Sequence, residues 1–201
     1  MLSAPTLDDV DRVFEYCQDP LFETYLTTPW PYHRSDAEHF LGEIVPSGWR
    51  LGREFIWALR EHEGGPLLGV VGLHRRRAAE PGSLDVGYWI GAPHRGHGYM
   101  SEAVRAVVER MLRPAPRDAD AATPVMIVYW ECAVGNLASA RTARAAGFRF
   151  TGVGPSNLAM RDGSHPPHWH GLRTAAPRES TTPEPAWPAE VVGQSPERAR
   201  R

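Results

Sequence analysis

A short turn, Arg95-Gly96-His97-Gly98-Tyr99-Met100, does most to limit what this chain can fold into. It lies between an apolar run and a strongly patterned helix. The run, Leu84-Asp85-Val86-Gly87-Tyr88-Trp89-Ile90, has the β-branched and aromatic content of a buried strand. After the turn, Ala103, Val104, Val107, Val108, Met111 and Leu112 recur at helical spacing. Two glycines at a strand-to-helix junction let the backbone bend closely and aim several N–H groups one way. With the positive end of the helix dipole, those amides make a seat for a phosphate or pyrophosphate. A Gly-x-Gly pair also occurs where nothing more than a tight connection is needed. Two common phosphate fingerprints are excluded, for there is no third glycine at Rossmann spacing and no Gly-Lys-Ser/Thr. The chain in fact contains no lysine, so all 22 basic side chains are arginine.

At 201 residues and 22.3 kDa the chain has room for one domain with a sizeable core, plus a tail. The formal net charge of −2, with no basic block in the patterned part, gives nucleic-acid binding no electrostatic footprint. Cys17 and Cys132 lie far apart in apolar patterns and read as two buried thiols. No run is long and apolar enough for a membrane span, and the N-terminus lacks a charged-then-apolar leader, so a cytoplasmic protein is expected. Residues 1–173 carry the periodic hydrophobics. Residues 174–201, rich in Pro, Ala, Glu, Ser and Arg, bury too little to offset their ordering entropy and are expected to form a disordered tail. Trp187 is its one large apolar residue and is read as part of a solvated linker.

Two helices are expected first. Thr6 with Asp9 resembles a capping box ahead of Val10, Val13, Phe14 and Cys17. Ser35 with Glu38 does the same ahead of Ala37, Phe40, Leu41 and Ile44, and Pro46 is expected to end that helix. Residues 55–59 and 67–73 form a hairpin signal around His62-Glu63-Gly64-Gly65-Pro66. A polar loop leads to Val125-Met126-Ile127-Val128-Tyr129-Trp130, which has the composition of a central strand. Asn136 to Ala146 reads as a helix stopped by Gly147. Residues 148–153 and about 167–173 supply a last strand pair. This order predicts an α/β (α+β mixed) fold, a mixed sheet flanked by helices.

Two signatures now stand in order. The first is Arg95, Gly98 and Met100 of a Q/R-x-x-G-x-G/A turn, behind the strand Asp85-Val86-Gly87-Tyr88-Trp89-Ile90. The second is Asn136, Ser139, Arg141, Gly147 and Phe148 of an N-x-x-S-x-R…G-F pattern. Over nearly all of residues 1–173 the chain resembles the GNAT superfamily of N-acetyltransferases, and within it the RimJ/RimL-like branch that acetylates the N-terminal α-amines of ribosomal proteins. The resemblance implies a mostly antiparallel twisted sheet of about seven strands, splayed between strands 4 and 5. It implies acetyl-CoA as co-substrate, with its pyrophosphate on the amides of Arg95, Gly96, His97, Gly98, Tyr99 and Met100. It further implies pantetheine paired with the free edge at Tyr88, Trp89 and Ile90 and touching Asn136 and Ser139. Met100, where the motif has Gly or Ala, is expected to face the helix–sheet interface.

Acetyl transfer to an amine needs a neutral amine, an oxyanion stabiliser and a proton donor for the departing thiolate. Ser139, in the first turn of its helix, is the candidate donor, and capping or packing that turn is its alternative role. Asp85 and Glu131 are the candidate bases, each in an apolar strand segment where burial raises a carboxylate pKa, with Asp85 preferred. For each, a strand-end carboxylate facing water or an arginine is the competing account. By analogy with the family, a strand N–H near Trp89 or Ile90 would meet the oxyanion. Neither cysteine has the electropositive setting of a nucleophile, so direct transfer is expected.

Trp30, Tyr32, His33, Trp49 and Phe55 are aromatic candidates for the acceptor wall, equally suited to a core or rim. His165, His168 and His170 have poor spacing for zinc, and no metal is expected. Relatives often carry G-x-x-D-x-W in this stretch. This chain instead has Gly163, Ser164, His165, Pro166, Pro167 and His168 before Trp169, which separates it from the ribosomal-protein enzymes on the acceptor side. A protein or peptide α-amine is the first choice of acceptor and a small amine (amino sugar, polyamine or amino-acid derivative) the second. A non-catalytic acyl-CoA-binding module is the alternative of another class. Nucleic-acid and membrane partners are not expected, and a homodimer through a sheet edge or the C-terminal strands is compatible with the resemblance.

Overall fold

In the computed structural model, residues 1–76, 81–113, 124–175 and 185–193 are described. Seven strands form one sheet: β1 (Leu2–Ser3), β2 (Glu54–Leu59), β3 (Gly69–Arg75), β4 (Ser83–Ile90), β5 (Ile127–Ala133), β6 (Arg149–Pro155) and β7 (Pro167–Thr174). Their spatial order is β1-β2-β3-β4-β5-β7-β6. Every adjacent pair is antiparallel except β4 and β5, which run parallel. The seventh strand is β1, too short to show any periodicity.

Seven helices flank the sheet among the described residues: α1 (Val10–Tyr16), α2 (Pro20–Tyr25), α3 (Arg34–His39), α4 (Val45–Leu51), α5 (Tyr99–Leu112), α6 (Leu137–Ala145) and α7 (Ala189–Val192). One apolar layer joins α5 and α6 to one sheet face through Leu73, Leu84, Val104, Val108, Val128 and Trp130. The other joins α1, α3 and α4 to the opposite face through Val13, Leu41, Val45, Ile56, Ala58 and Val70. On α5 the spacing read from sequence is the buried stripe, with Ala103, Val104, Val107, Val108 and Leu112 all buried. Each Val or Leu there contributes about 2 kcal/mol of burial.

The N-terminal layer departs from expectation in three places. Thr6 and Asp9 do form a capping box, and its first turn is a 3-10 turn over Leu7–Asp9. The second box belongs to His33 and Asp36 rather than Ser35 and Glu38: the His33 N–H donates to Asp36 Oδ2 at 2.7 Å, and Ser35 lies inside α3. Pro46 does not end the helix. A π-turn over Phe40–Ile44 sends the Val45 N–H to the Phe40 carbonyl, and Pro46 then falls in the first turn of α4, where its missing N–H costs nothing. The helix stops at Gly52, whose φ of 61° is left-handed. Asp9 is buried here and is met by Arg60 Nη1 at 2.8 Å and Nη2 at 2.7 Å, which ties the α1 entry to the β2–β3 hairpin.

The tail also departs from expectation. Residues 185–193 pack against the domain: Val191 is 1% exposed and Trp187 lies against Trp130 and Phe150. Trp187 is therefore not part of a solvated linker. The remainder of the expected tail, beyond 175, and most of the expected polar loop before β5 lie outside the described residues.

Candidate active site

β4 and β5 pair only at Ser83↔Ile127, Leu84↔Val128 and Asp85↔Tyr129. Beyond Asp85 the two strands diverge, and a wedge opens between Tyr88–Ile90 and the end of β5. A slot of about 690 Å³ fills this wedge and runs on between the N-termini of α5 and α6. Its walls include Tyr88, Trp89, Ile90, Arg95, Gly96, Gly98, Tyr99, Met100, Asn136 and Ser139, which are most of the residues the sequence assigned to the co-substrate. The Gly91 N–H goes to Leu68 of the β3 side, so strand alternation turns the N–H groups of Tyr88 and Ile90 toward the wedge.

The turn owes its shape to its glycines. Gly96 and Gly98 both have φ of 81°, and a Cβ built on either meets nothing within 4 Å. Here glycine answers a conformational demand rather than a steric one, and the surface above it stays open. Gly98 is the N-cap of α5 and offers no side-chain cap, so the first amides of that helix are left for a ligand. Met100 is buried on α5 against the sheet, as expected. His97 is exposed and stacks on Tyr99 at 5.6 Å. Arg95 is not a loose charge: Asp19 Oδ2 holds its Nη2 at 2.7 Å, and the Ile90 carbonyl accepts from its Nε at 3.3 Å.

Across the slot, Asn136 caps α6, its Oδ1 accepting from the Ser139 N–H at 3.1 Å. The Ser139 hydroxyl donates to Tyr88 Oη at 3.2 Å and accepts from Trp130 Nε1 at 3.2 Å. Tyr88 Oη donates to the Ser139 carbonyl at 2.9 Å. Burial pushes the Tyr88 phenol well above its usual range, so it stays protonated. Sequence reading missed this phenol as a chemical group, because a tyrosine in an apolar strand gives no sign of its partner 51 residues on. Burial also raises the thiols of Cys17 and Cys132 to about 12, so neither supplies a thiolate at neutral pH.

Asp85 and Glu131 do not line the slot. Asp85 sits where the wedge closes, on the sheet face of α1–α4, with Arg76 Nε 3.2 Å away. Burial raises its pKa, and Arg76 partly opposes the shift. Glu131 is occupied as an anchor, accepting from the Asn157 N–H at 3.1 Å with His170 Nδ1 3.5 Å away. His165 is held by the Ser156 carbonyl at 2.7 Å and His168 by the Pro166 carbonyl at 3.0 Å.

The expected acceptor aromatics are elsewhere. Tyr32 is buried in the layer beneath α1–α4, Trp30 packs against that layer, and His33 is the N-cap of α3. Phe55 packs edge-on against Trp49 at 5.1 Å. None of the four residues Trp30, Tyr32, His33 and Phe55 lines the slot; Leu21, Phe22, Tyr25 and Leu26 of the α2 region do. α2 went unread because six residues are too few to show periodicity, although Asp19 at its N-cap and Pro20 at N1 are start signals. Arg161 of the β6–β7 loop clamps this wall, donating to the carbonyls of Leu26 at 2.8 Å, Thr28 at 2.9 Å and Glu23.

Solved structures share the fold. A microcin self-immunity acetyltransferase, MccE, in complex with acetyl-CoA and AMP, is 20% identical over 86% of this chain and 91% of its own, with a TM-score of 0.69. A putative ribosomal-protein-serine acetyltransferase from Vibrio cholerae is 17% identical over 86% and 92%, with a TM-score of 0.68. RimL, a ribosomal α-N-protein acetyltransferase in complex with coenzyme A, is 20% identical over 86% and 92%, with a TM-score of 0.64. No curated protein matches the chain by sequence. The family profile described as the acetyltransferase (GNAT) domain matches residues 1–149, and the chain belongs to that family.

Proposed function

We propose that this acetyltransferase moves an acetyl group from acetyl-CoA directly to a primary amine, with a protein or peptide N-terminal α-amine as acceptor. One observation carries the reading: a glycine turn with free helix-start amides opens onto the same slot as a half-buried Tyr88–Ser139 hydroxyl pair. The turn seats the pyrophosphate, and the unpaired edge at Tyr88–Ile90 takes the pantetheine arm as an added strand. That alignment sets the thioester carbonyl beside the Ile90 N–H, which stabilises the developing oxyanion. A neutral amine attacks the carbonyl carbon; the C–N bond forms and the C–S bond breaks. The leaving sulfur takes its proton from the Tyr88–Ser139 pair, whose phenol burial keeps protonated at neutral pH. The proton lost by the amine leaves through water toward Asp85 at the closed end of the wedge.

The peptide choice rests on the acceptor wall, which is apolar (Leu21, Phe22, Tyr25, Leu26) and bridged by Arg161 to the β6–β7 loop. Such a wall suits an extended chain end better than a polyhydroxylated amine. The test is thiol release from acetyl-CoA with peptides bearing free α-amines, set against polyamines and amino sugars. Faster turnover on the peptides supports the reading; turnover confined to small amines overturns it.

A further inference from the structure

We propose that residues 185–193 form part of the catalytic framework, with Trp187 a positioning residue that holds Ser139 in place through Trp130. The family match ends at residue 149, so this segment lies outside the shared profile. The Trp187 ring packs on Trp130 at 5.6 Å and on Phe150 at 5.4 Å. Val191 is 1% exposed within the core layer shared by α5 and α6. Arg141 and Arg144 of α6 donate to the carbonyls of Glu190 at 2.9 Å and Val192 at 3.4 Å. The segment therefore grips α6 from outside while Trp187 reaches the sheet beneath it.

The consequence lies one contact further in. Trp130 is 2% exposed, and its indole N–H is the donor that fixes the Ser139 oxygen at 3.2 Å. With that oxygen accepting from Trp130, the Ser139 hydrogen is left to point at Tyr88 or at the slot. An indole free to tilt would release the oxygen and let the hydroxyl turn to other acceptors on the first turn of α6. Trp187 supplies the ring that prevents the tilt, and Phe150 packs on Trp187 in turn. An added benefit falls on Arg141, which lines the slot and is held by the Glu190 carbonyl.

The inference rests on Ser139 acting in the proposed transfer, so its test compares two backgrounds in the full chain. Trp187→Ala is expected to lower kcat by roughly tenfold to a hundredfold, as a misplaced catalytic group does, with the acetyl-CoA KM nearly unchanged. In a Ser139→Ala background the same substitution should cost almost nothing further, because the group it positions is gone. Trp187→Phe, which keeps a ring on Trp130, should restore most of the rate. If Trp187→Ala folds poorly, the graded pair Trp187→Phe and Trp187→Leu carries the same comparison. An equal fold-loss in both backgrounds, or an unchanged kcat in folded Trp187→Ala and Trp187→Leu, overturns the inference. A wild-type protein that acetylates no amine would instead overturn the proposed function; the positioning claim is then read from the Trp130 indole N–H by NMR, which should exchange faster in Trp187→Leu than in the wild type, and equally slow exchange overturns it.

Discussion

The Ser139 hydroxyl and the Tyr88 phenol are 3.2 Å apart across the wedge, joining the first turn of α6 to the open edge of β4. Two hydroxyls 51 residues apart in the chain thus form one hydrogen-bonded pair, the pair that the proposed transfer uses to protonate the leaving thiolate.

Removing either hydroxyl should slow the chemical step and spare binding. Ser139→Ala and Tyr88→Phe are each expected to lower kcat by about a hundredfold, the lower end of the range for general-acid catalysis. The double variant should be little worse than the poorer single one, since the pair acts as a unit. Steady-state kinetics on the four proteins checks this.

Gly98 has a left-handed φ and caps α5 with its backbone alone. Gly98→Pro cannot adopt that φ and lacks the amide, so coenzyme A binding should be lost by calorimetry. His97→Ala removes only an exposed ring stacked on Tyr99 and should change the Kd by less than about threefold.

The turn, the helix after it and the Asn136 cap were legible in the sequence because glycine, periodicity and capping chemistry act within a few residues. The wedge was implied by the family resemblance that the two motifs carry. What stayed hidden depends on contacts distant in sequence or on cancelling local signals. Pro46 reads as a stop, and only the π-turn before it shows why the helix continues. Trp187 sits in a stretch whose composition favours solvent, yet it finds Trp130 and Phe150. Glu131 has the setting of a base, but Asn157 and His170 engage it.

Arg161 bridges the β6–β7 loop to carbonyls of the α2 wall, where a cation also meets the negative end of a helix. Arg161→Ala should raise the acceptor KM by roughly three- to tenfold, the free-energy equivalent of about one ordinary hydrogen bond. The acetyl-CoA KM should stay within about twofold, because the clamp lies on the α2 wall, the proposed acceptor side, and not on the turn. A two-substrate kinetic matrix separates the two effects.

Asp85 gives a pH signature. Burial raises its pKa above the ordinary 3.8, so the folded state holds this proton more tightly than the unfolded chain does. The associated stability is fully present below the unfolded value and is lost as pH rises through the folded one. Relative to wild type, Asp85→Asn should therefore gain in Tm on going from acid to neutral pH. If Asp85 receives the amine's proton, the acid limb of kcat/KM lies above the usual carboxylate range and flattens in Asp85→Asn. Thermal melts and rate profiles across pH read both.

The account stands most directly on where the acetyl group goes. With acetyl-CoA and an unblocked peptide that also carries an internal lysine, mass spectrometry of the product should find the acetyl group on the N-terminal α-amine, at a rate that falls in Ser139→Ala. Tight coenzyme A binding with no acetylated amine, or acetylation on the lysine alone, would contradict it.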